Sequence, residues 1–354
     1  MHVERASDDI YIFTSDRYAQ VTASLILSNG TGVLIDTMLF PSEAARIALH
    51  VRQHCPNGVR YIIYTGHEAD HTYGAFLFPR AEIIAHEKAR DMILERGPAA
   101  LAQAREALPE MAPVMLRPPT ITFSGGSFTL RLPGKTLEIM HMPGHTSDGC
   151  SVLLHEERIL FAGDAIMALP TVVNGDPVEL KQTIERAAAM QLEYIVQGHG
   201  ELILRGEIKD TLKRSVGYLD NLTQKVQRVV DIGGSRDDVR AITIESCGLT
   251  RVLLNGAVGQ LHISNALALY DRYIHDRPAG MRSIVEEADV VAKPAGRVGA
   301  KAKPRKAEKA EKHEKPGDVA IVQPETAALP KPAAGRRTIH APVTPPSSRG
   351  SRTV

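Results

Sequence analysis

Four short polar segments, each placed directly after a strand-like apolar run, constrain the fold of this chain most strongly. They cover residues 65–71, 143–146, 163–164 and 198–200, and each contains a histidine or an aspartate. Because a buried strand holds the start of the loop that follows it, residues far apart in the sequence can meet at one place. The pattern therefore predicts a layered fold with one polar site built from several loops.

The apolar runs alternate with stretches of helical spacing. Short strands with turn signals open the chain up to Asp36, and residues 41–54 have helical spacing with Ser42 as the expected N-cap. Residues 59–65 form a nearly unbroken apolar run, which is typical of a strand covered on both faces. Further helical stretches follow at 208–230, 237–245 and 260–275. Two strand-rich halves, each closed by helices, predict two sheets stacked inside helical layers.

The net charge of +1 hides a division of the 354-residue chain into two parts. Residues 293–354 contain 14 lysines and arginines against five acids, nine of the 22 prolines and no aromatic residue. Such a composition cannot bury enough apolar surface to offset the entropy of ordering. We therefore predict three regions: a folded domain at 1–205, a helical extension at 206–287 and a disordered Lys/Pro/Ala-rich tail at 288–354. The tail is interpreted as a solubilising or partner-docking segment, or as an arm that binds nucleic acid or another polyanion.

The remaining composition limits the class of protein. The first residues include acidic side chains where a signal peptide needs an apolar stretch, and no apolar run reaches the 18 or more residues of a membrane-spanning helix. A soluble, cytoplasmic protein without a membrane span is expected. The three cysteines are far apart and in no CxxC pair, so neither a disulfide framework nor a cysteine zinc site is predicted.

The residue types in the four polar segments point to a metal site. Imidazole and carboxylate groups are ligands of zinc, iron and manganese, and a cation is the usual reason for collecting both types without a lysine or arginine nearby. A single histidine of this kind is more often a loop or packing residue. Four such loops in order favour a metal centre.

Over residues 8–205 the chain resembles the metallo-β-lactamase fold superfamily of metallohydrolases. The motifs that carry the resemblance follow the family order: Leu34-Ile-Asp36-Thr37, Asp70-His71-Thr-Tyr-Gly74, Pro143-Gly-His145-Thr146, Phe161-Ala-Gly-Asp164 and Gly198-His199-Gly200. The resemblance implies an α/β fold, a four-layer αβ/βα sandwich. It also implies that Asp36 orients the metal loop from behind.

The resemblance implies a complete second metal site and a variant first one. The second site would be formed by four residues: Asp70, His71, Asp164 and His199. The first would contain His145 and the bridging Asp164. The family motif His-x-His-x-Asp-His places Gly66 and Glu68 where its two leading histidines belong.

Three interpretations of this variant motif remain open. In flavodiiron proteins, a branch of the superfamily, glutamate occupies the second position, so Glu68 would be a ligand in an oxygen-rich site that prefers iron or manganese to zinc. Alternatively the loop shifts and His67 turns inward as a nitrogen ligand of a dizinc site. In the third interpretation the first metal is lost, leaving a mononuclear enzyme or an inactive fold.

The expected function is that of a metal-dependent hydrolase with one or two divalent ions. A metal-bound hydroxide would attack an ester, thioester, lactone or related bond of a small-molecule substrate, and Asp70 would orient it. Residues 206–285 would shape a pocket lid or a homodimer contact. The competing hypothesis is a degenerate, non-catalytic scaffold that recruits a partner through its basic tail.

Overall fold

A computed structural model of the chain describes residues 1–250 and 253–276. The predicted tail at 288–354 and the last residues of the predicted extension, 277–287, lie outside the described residues. Seven strands form the first sheet: β1 (His2–Ser7), β2 (Ile10–Thr14), β3 (Thr22–Ser28), β4 (Thr31–Ile35), β5 (Val59–Ile63), β6 (Glu82–His86) and β7 (Ile121–Phe123). Six strands form the second: β8 (Ser127–Leu132), β9 (Lys135–His141), β10 (Cys150–Leu154), β11 (Ile159–Gly163), β12 (Tyr194–Gln197) and β13 (Ile203–Leu204).

Helices connect and cover these sheets. The α-helices of the described residues are α1 (Pro41–His54), α2 (Ala69–Thr72), α3 (Glu87–Ala107), α4 (Pro177–Ala188), α5 (Ile208–Asp231), α6 (Arg236–Arg240) and α7 (Val258–His275). None of the helices in this part of the chain combines the length and the apolar character needed to cross a bilayer.

Each sheet contains parallel neighbouring strands whose carboxyl ends lie side by side. In the first sheet the strands follow chain order, with β1 to β4 antiparallel and β4 to β7 parallel. In the second sheet, ordered β13-β12-β11-β10-β9-β8, the pair β11 and β12 is parallel. The loops that leave β4, β5, β11 and β12 carry most of the site described below, because parallel neighbours end side by side.

The core lies in three apolar layers that follow from the alternation of side chains along the strands. In β4, Leu34 faces the helical layer of the first sheet, while Val33 and Ile35 face the second sheet. The layer between the sheets is built from both of them and includes Ile26, Ile63, Ile139, Val152 and Phe161. Helices α4, α5 and α7 cover the outer face of the second sheet. The four-layer αβ/βα sandwich is thus confirmed; the domain boundary after residue 205 stays a prediction.

Some local predictions were wrong. Helix α1 begins at Pro41 with Phe40 at its N-cap, and no side chain caps it. Proline at the first helical position is preset for helical geometry, so Ser42 lies inside the first turn instead of before it. Strand β1 was not anticipated. The predicted helix at 237–245 is shorter, covering Arg236–Arg240 behind a capping box of Ser235 and Asp238.

Candidate metal centre

The loops at the strand ends bring six predicted site residues together. Asp70 and His71 lie on the short helix α2, which follows β5, and Glu68 is its N-cap residue. Asp164 comes directly after β11, and the loop between β9 and β10 carries His145. His199 follows β12 and forms a β-bridge with Val21, which precedes β3, so the bridge links the two sheets. Ligand atoms of two overlapping groups lie within 4.8 Å of one another: Asp70, His71 and His199, and Glu68, His71 and Asp164.

Asp164 lies at the centre of the cluster. Its Oδ2 is 3.3 Å from Nε2 of His71 and 3.3 Å from Nε2 of His145, and its Oδ1 is 3.6 Å from Nε2 of His199. The other two carboxylates of the cluster, Glu68 and Asp70, each contact one of the histidines. Oε2 of Glu68 is 2.8 Å from Nε2 of His145, and Oδ2 of Asp70 is 3.2 Å from Nε2 of His199.

All three histidines present the same ring nitrogen to the cluster, because the other nitrogen is held from behind. Nδ1 of His145 lies 2.9 Å from the carbonyl oxygen of Thr171, and Nδ1 of His199 lies 2.9 Å from that of Ala19. A carbonyl only accepts hydrogen bonds, so each of these Nδ1 atoms carries a hydrogen, and each Nε2 is the nitrogen that could bind a cation after losing its own proton. Nδ1 of His71 lies 2.9 Å from Oδ2 of Asp36, which fixes this ring in the same way.

Asp36, directly after β4, forms hydrogen bonds with Thr65 and His71 in the segment that follows β5. Its Oδ1 accepts the backbone N–H of Thr65 at 2.8 Å, and its Oδ2 accepts the Thr65 hydroxyl at 2.6 Å in addition to the ring of His71. Asp36 has a φ of 57°, in the left-handed region that aspartate tolerates better than most residues. The orienting role that the family resemblance implied for Asp36 fits this geometry.

Glycine is required beside Asp164. A Cβ atom at Gly198 would lie 2.0 Å from Oδ1 of Asp164 and 2.7 Å from the carbonyl oxygen of Gly163. The loop after β12 therefore passes the central carboxylate at a distance that only glycine allows.

The charges of the cluster are unbalanced unless protons or a cation compensate them. Among the described residues, every ion-pair partner of Glu68, Asp70 and Asp164 is a histidine. Burial by itself lowers the pKa of His145, but Glu68 and Asp164 outweigh burial and raise the pKa to about 10. Burial raises the pKa of the Asp164 carboxyl, yet the surrounding histidines more than reverse this and lower the pKa. A divalent cation would take the place of the histidine protons.

Two buried atoms of the cluster indicate whether its residues fit a metal ion. Nε2 of His71 and Oδ1 of Asp164 have no hydrogen-bond partner within the part of the chain that the structure describes. A buried polar atom without a partner costs about 1–3 kcal/mol, so such atoms are rare. Imidazole nitrogen and carboxylate oxygen are both donors to zinc, iron and manganese. The residues present therefore fit a divalent ion.

His67 does not reach this cluster. Its backbone N–H and its ring Nδ1 contact the carboxylate of Asp148, at 2.8 Å and 3.0 Å. Asp148 is fully buried, and its contacts with His67 keep this ring away from the cluster. In this structure Glu68, and not His67, lies beside His145; which of the two binds a metal stays a prediction. A Cβ atom at the neighbouring Gly66 would meet only Oδ2 of Asp148, at 3.9 Å.

A second pair of histidines lies apart from the cluster. The rings of His86 and His141 stack with their centroids 4.1 Å apart. Burial, together with His141 and Lys88, lowers the pKa of His86 to about 4. Nδ1 of His86 accepts the backbone N–H of Lys88 at 3.2 Å and caps α3, which requires an unprotonated nitrogen.

Sequence reasoning missed the groups that hold His145 and His199 from behind. Both are backbone carbonyls, and a carbonyl has no residue type that could signal its role. Ala19 and the next residue, Gln20, have φ angles of 40° and 51°, so the turn that presents the Ala19 carbonyl is strained. Tyr18 also lies beside the site, with its ring edge-on to His199 at 6.1 Å between centroids.

Comparison with known proteins places this architecture in a family. Residues 17–222 match the family model described as "Metallo-beta-lactamase superfamily". The Lactamase-like protein vrtG of Penicillium aethiopicum is 27% identical over 205 residues, which cover 57% of this chain and 57% of that protein. The Thioesterase pkgB of Emericella nidulans is 22% identical over 229 residues, covering 62% of this chain and 59% of that protein. A Beta-lactamase-like protein 2 homolog of Caenorhabditis elegans is 24% identical over 117 residues, 33% of this chain and 38% of its own length.

Solved structures show the same fold at low sequence identity. A metallo-beta-lactamase family protein from Thermus thermophilus has a TM-score of 0.58 at 18% identity, covering 77% of this chain and 95% of that chain. The sec-alkylsulfatase Pisa1 from Pseudomonas sp. has a TM-score of 0.57 at 16% identity, covering 78% of this chain and 50% of that chain. The curated relatives are matched over less than two thirds of their lengths. The family match covers more than half of the present sequence, with the cluster inside it, and this chain belongs to the metallo-β-lactamase superfamily.

Proposed function

We propose that this protein is a metal-dependent hydrolase that cleaves an ester, thioester, lactone or related bond of a small molecule. One observation carries the proposal: three imidazole Nε2 atoms and three carboxylates converge in a mostly buried cluster, with all three Nδ1 atoms engaged elsewhere. A set of this kind costs free energy unless histidine protons or a bound cation balance its carboxylates.

We assign the six side chains to two ligand sets that share Asp164, as the family resemblance implies. The first set is Glu68, His145 and Asp164; the second is Asp70, His71, His199 and Asp164. When bound, the metal would acidify a water molecule and polarise the bond to be cleaved. Two of the three side chains in the first set are carboxylates, a composition that suits iron or manganese as well as zinc.

The chain's own residues would hold the nucleophilic water and its proton. Asp70 is the proposed catalytic carboxylate. Its Oδ2 contacts His199, and its Oδ1 is 3.9 Å from Nε2 of His71, too far for a hydrogen bond. That second oxygen is available to accept a proton from a water molecule in the cluster. Asp36, Ala19 and Thr171 would keep the three imidazole rings in their ligating tautomer throughout.

Distant relatives support thioesters as the substrate class to test before the others. Two of them, the Thioesterase pkgB and an Atrochrysone carboxyl ACP thioesterase from Aspergillus fumigatus, are named for that activity, at 22% and 24% identity. A thioester carbonyl is also more electrophilic than an oxygen ester carbonyl.

The test is metal content, measured by elemental mass spectrometry on the full-length, tag-free protein. We expect one or two equivalents of a transition metal, and loss of most of it in the double variant Asp70→Ala, His199→Ala. His155→Ala is the matched control, because His155 is also paired with a carboxylate, Glu138 at 3.1 Å, but lies on the exposed surface. Equal metal content in the wild type and the double variant would contradict the proposal.

Activity separates the proposal from the non-catalytic scaffold. The metal-loaded protein is expected to hydrolyse at least one member of a panel of acyl thioesters, nitrophenyl esters and lactones, and the double variant is not. A protein that binds metal but cleaves none of these substrates would favour the scaffold hypothesis.

A further inference from the structure

We propose that Asn265, on helix α7, is a positioning residue for the candidate metal ligand His145. The inference rests on the proposed function, since it assigns a role toward the same metal. Asn265 holds a loop segment at 170–172, and the carbonyl in the middle of this segment orients the imidazole ring. The helical region after residue 205 would thereby take part in the construction of the first metal site.

The side-chain amide of Asn265 contacts the backbone on both sides of Thr171. Its Oδ1 accepts the N–H of Val172 at 2.8 Å, and its Nδ2 donates to the carbonyl of Pro170 at 2.8 Å. Between these two contacts, the carbonyl of Thr171 accepts the Nδ1–H of His145 at 2.9 Å. One fully buried side chain therefore holds both peptide units that flank Thr171, including the unit whose carbonyl sets the ring.

An apolar residue would be expected at this place if packing were its only role. Asn265 lies in the apolar layer between α7 and α5, where an amide that is not hydrogen-bonded is costly. Its amide is fully used: besides the loop contacts, Nδ2 donates to the hydroxyl of Tyr218 at 3.2 Å. Tyr218 in turn lies 3.0 Å from Nδ1 of His262, whose Nε2 is 3.0 Å from the carbonyl of Ile242.

The hydrogen bonds of this network have one consistent direction. The Ile242 carbonyl only accepts, so Nε2 of His262 carries the hydrogen and Nδ1 accepts from Tyr218. The Tyr218 oxygen is then free to accept from Asn265. This order agrees with the orientation that the loop by itself imposes on the amide, with Oδ1 toward the N–H of Val172 and Nδ2 toward the carbonyl of Pro170.

A second contact from α7 holds the same loop further along. Arg272 donates to the carbonyl of Gly175 and lies 3.3 Å from the carboxylate of Asp176. Gly175 packs directly on the loop of His145: a Cβ atom there would lie 2.2 Å from the His145 carbonyl oxygen. The N–H of Asp176 also donates to the carbonyl of Gly144 at 2.8 Å. Helix α7 thus supports the loop at both ends of 170–176.

Loss of the Asn265 contacts is expected to weaken the binding of one metal ion, the one held by His145. His71 and His199 are oriented by Asp36 and Ala19, which lie on the first sheet and its loops and have no contact with this network among the described hydrogen bonds. Loss of the Asn265 contacts frees the Thr171 carbonyl, and with it the ring of His145. Groups behind a metal-bound histidine typically contribute about 10–100-fold to affinity, and one step further away we expect the lower end.

The experiment uses the full-length protein and the variant Asn265→Leu, which keeps the volume and removes the amide. Zinc affinity is measured by competition with a chromogenic chelator, and melting temperature by circular dichroism. We expect two zinc equivalents in the wild type. In the variant one equivalent should bind about tenfold more weakly while the other changes less than about twofold.

Tyr218→Phe is the control for a purely structural role. It removes a buried hydroxyl from the same network but leaves both loop contacts of Asn265 in place. It should lower the melting temperature and leave both zinc affinities within about twofold of the wild type. Equal changes in both equivalents of Asn265→Leu, or none, would overturn the inference.

Arg272→Gln keeps the inference testable if Asn265→Leu fails to fold. Arg272 is partly exposed, so we expect its loss to disturb folding less than the loss of the fully buried Asn265, and to weaken the same equivalent about threefold. Unchanged affinity would count against the role of α7. A wild-type protein with a single zinc would overturn the inference and leave the proposed function intact, whereas a protein without bound zinc would overturn both.

Discussion

The substitution Asp36→Asn tests whether the carboxylate behind His71 builds the metal site. Asp36 accepts three hydrogen bonds: two from Thr65, at 2.8 and 2.6 Å, and one from the ring of His71 at 2.9 Å. Asparagine has nearly the same shape and also tolerates the left-handed backbone at this position, where φ is 57°. The change therefore replaces one oxygen acceptor by a donor and leaves the backbone unaltered.

The loss of stability expected for Asp36→Asn follows from the number of hydrogen-bond acceptors that the substitution removes. Whichever way the amide is turned, its NH₂ group faces at least one of the donors of Thr65 or His71. A buried hydrogen bond to a charged acceptor contributes about 1.5–3 kcal/mol, so the unfolding free energy of the metal-free protein should fall by about 2–3 kcal/mol. Metal affinity should fall about 10–100-fold, because the His71 ring is no longer held by a carboxylate.

Two assays separate these effects. The chain has no tryptophan, so urea unfolding of the metal-free protein is followed by circular dichroism. Metal affinity is measured by chelator competition. Thr65→Val is the matched control: it removes only the 2.6 Å hydrogen bond to Asp36 and leaves the contact with His71. Thr65→Val should cost stability but change metal affinity less than about threefold. If Asp36→Asn bound metal as tightly as Thr65→Val, the orienting role of Asp36 would be refuted.

Three further predictions concern other parts of the chain. Glu68→Gln should lose one metal equivalent, because it removes a charged ligand at nearly constant shape, whereas His67→Ala should keep the full metal content; the reverse result would show that the loop slips. The pKa of His86 is about 4 in the folded protein and about 6.5 in the unfolded chain. Between pH 6.5 and pH 4 the unfolded state therefore binds more protons than the folded state. The contribution of His86 thus lowers the free energy of unfolding as the pH falls through this range. His86→Asn keeps a capping side chain and should make the free energy of unfolding, measured in urea, less dependent on pH between about 6.5 and about 4. An unchanged pH dependence would contradict this role of His86. Deleting residues 288–354 should leave melting temperature and metal content unchanged and abolish salt-sensitive DNA binding if the full chain shows any; a large drop in melting temperature would mean that the tail packs on the folded part.

Much of the fold and the set of candidate ligands could be predicted from the sequence. Alternating apolar and polar residues predict strands, and polar loops at strand ends place histidines and aspartates where parallel strands finish together. The sequence therefore determined which residue types meet, in what order and on which loops. It also predicted the two-sheet architecture, which the structure and the family match confirm. Whether the six side chains bind metal stays a prediction.

Only the tertiary structure decided which neighbouring side chain turns toward the cluster. Glu68 and His67 are adjacent, and either could serve as a ligand by residue type. Asp148, 81 positions away from His67, settles the matter by holding the His67 ring at 3.0 Å. The groups that orient His145 and His199 are main-chain carbonyls, which every residue has, so no local pattern marks them. The role of Asn265 likewise depends on a contact across 93 residues, since hydrogen bonds over such separations exist only after the layers have packed.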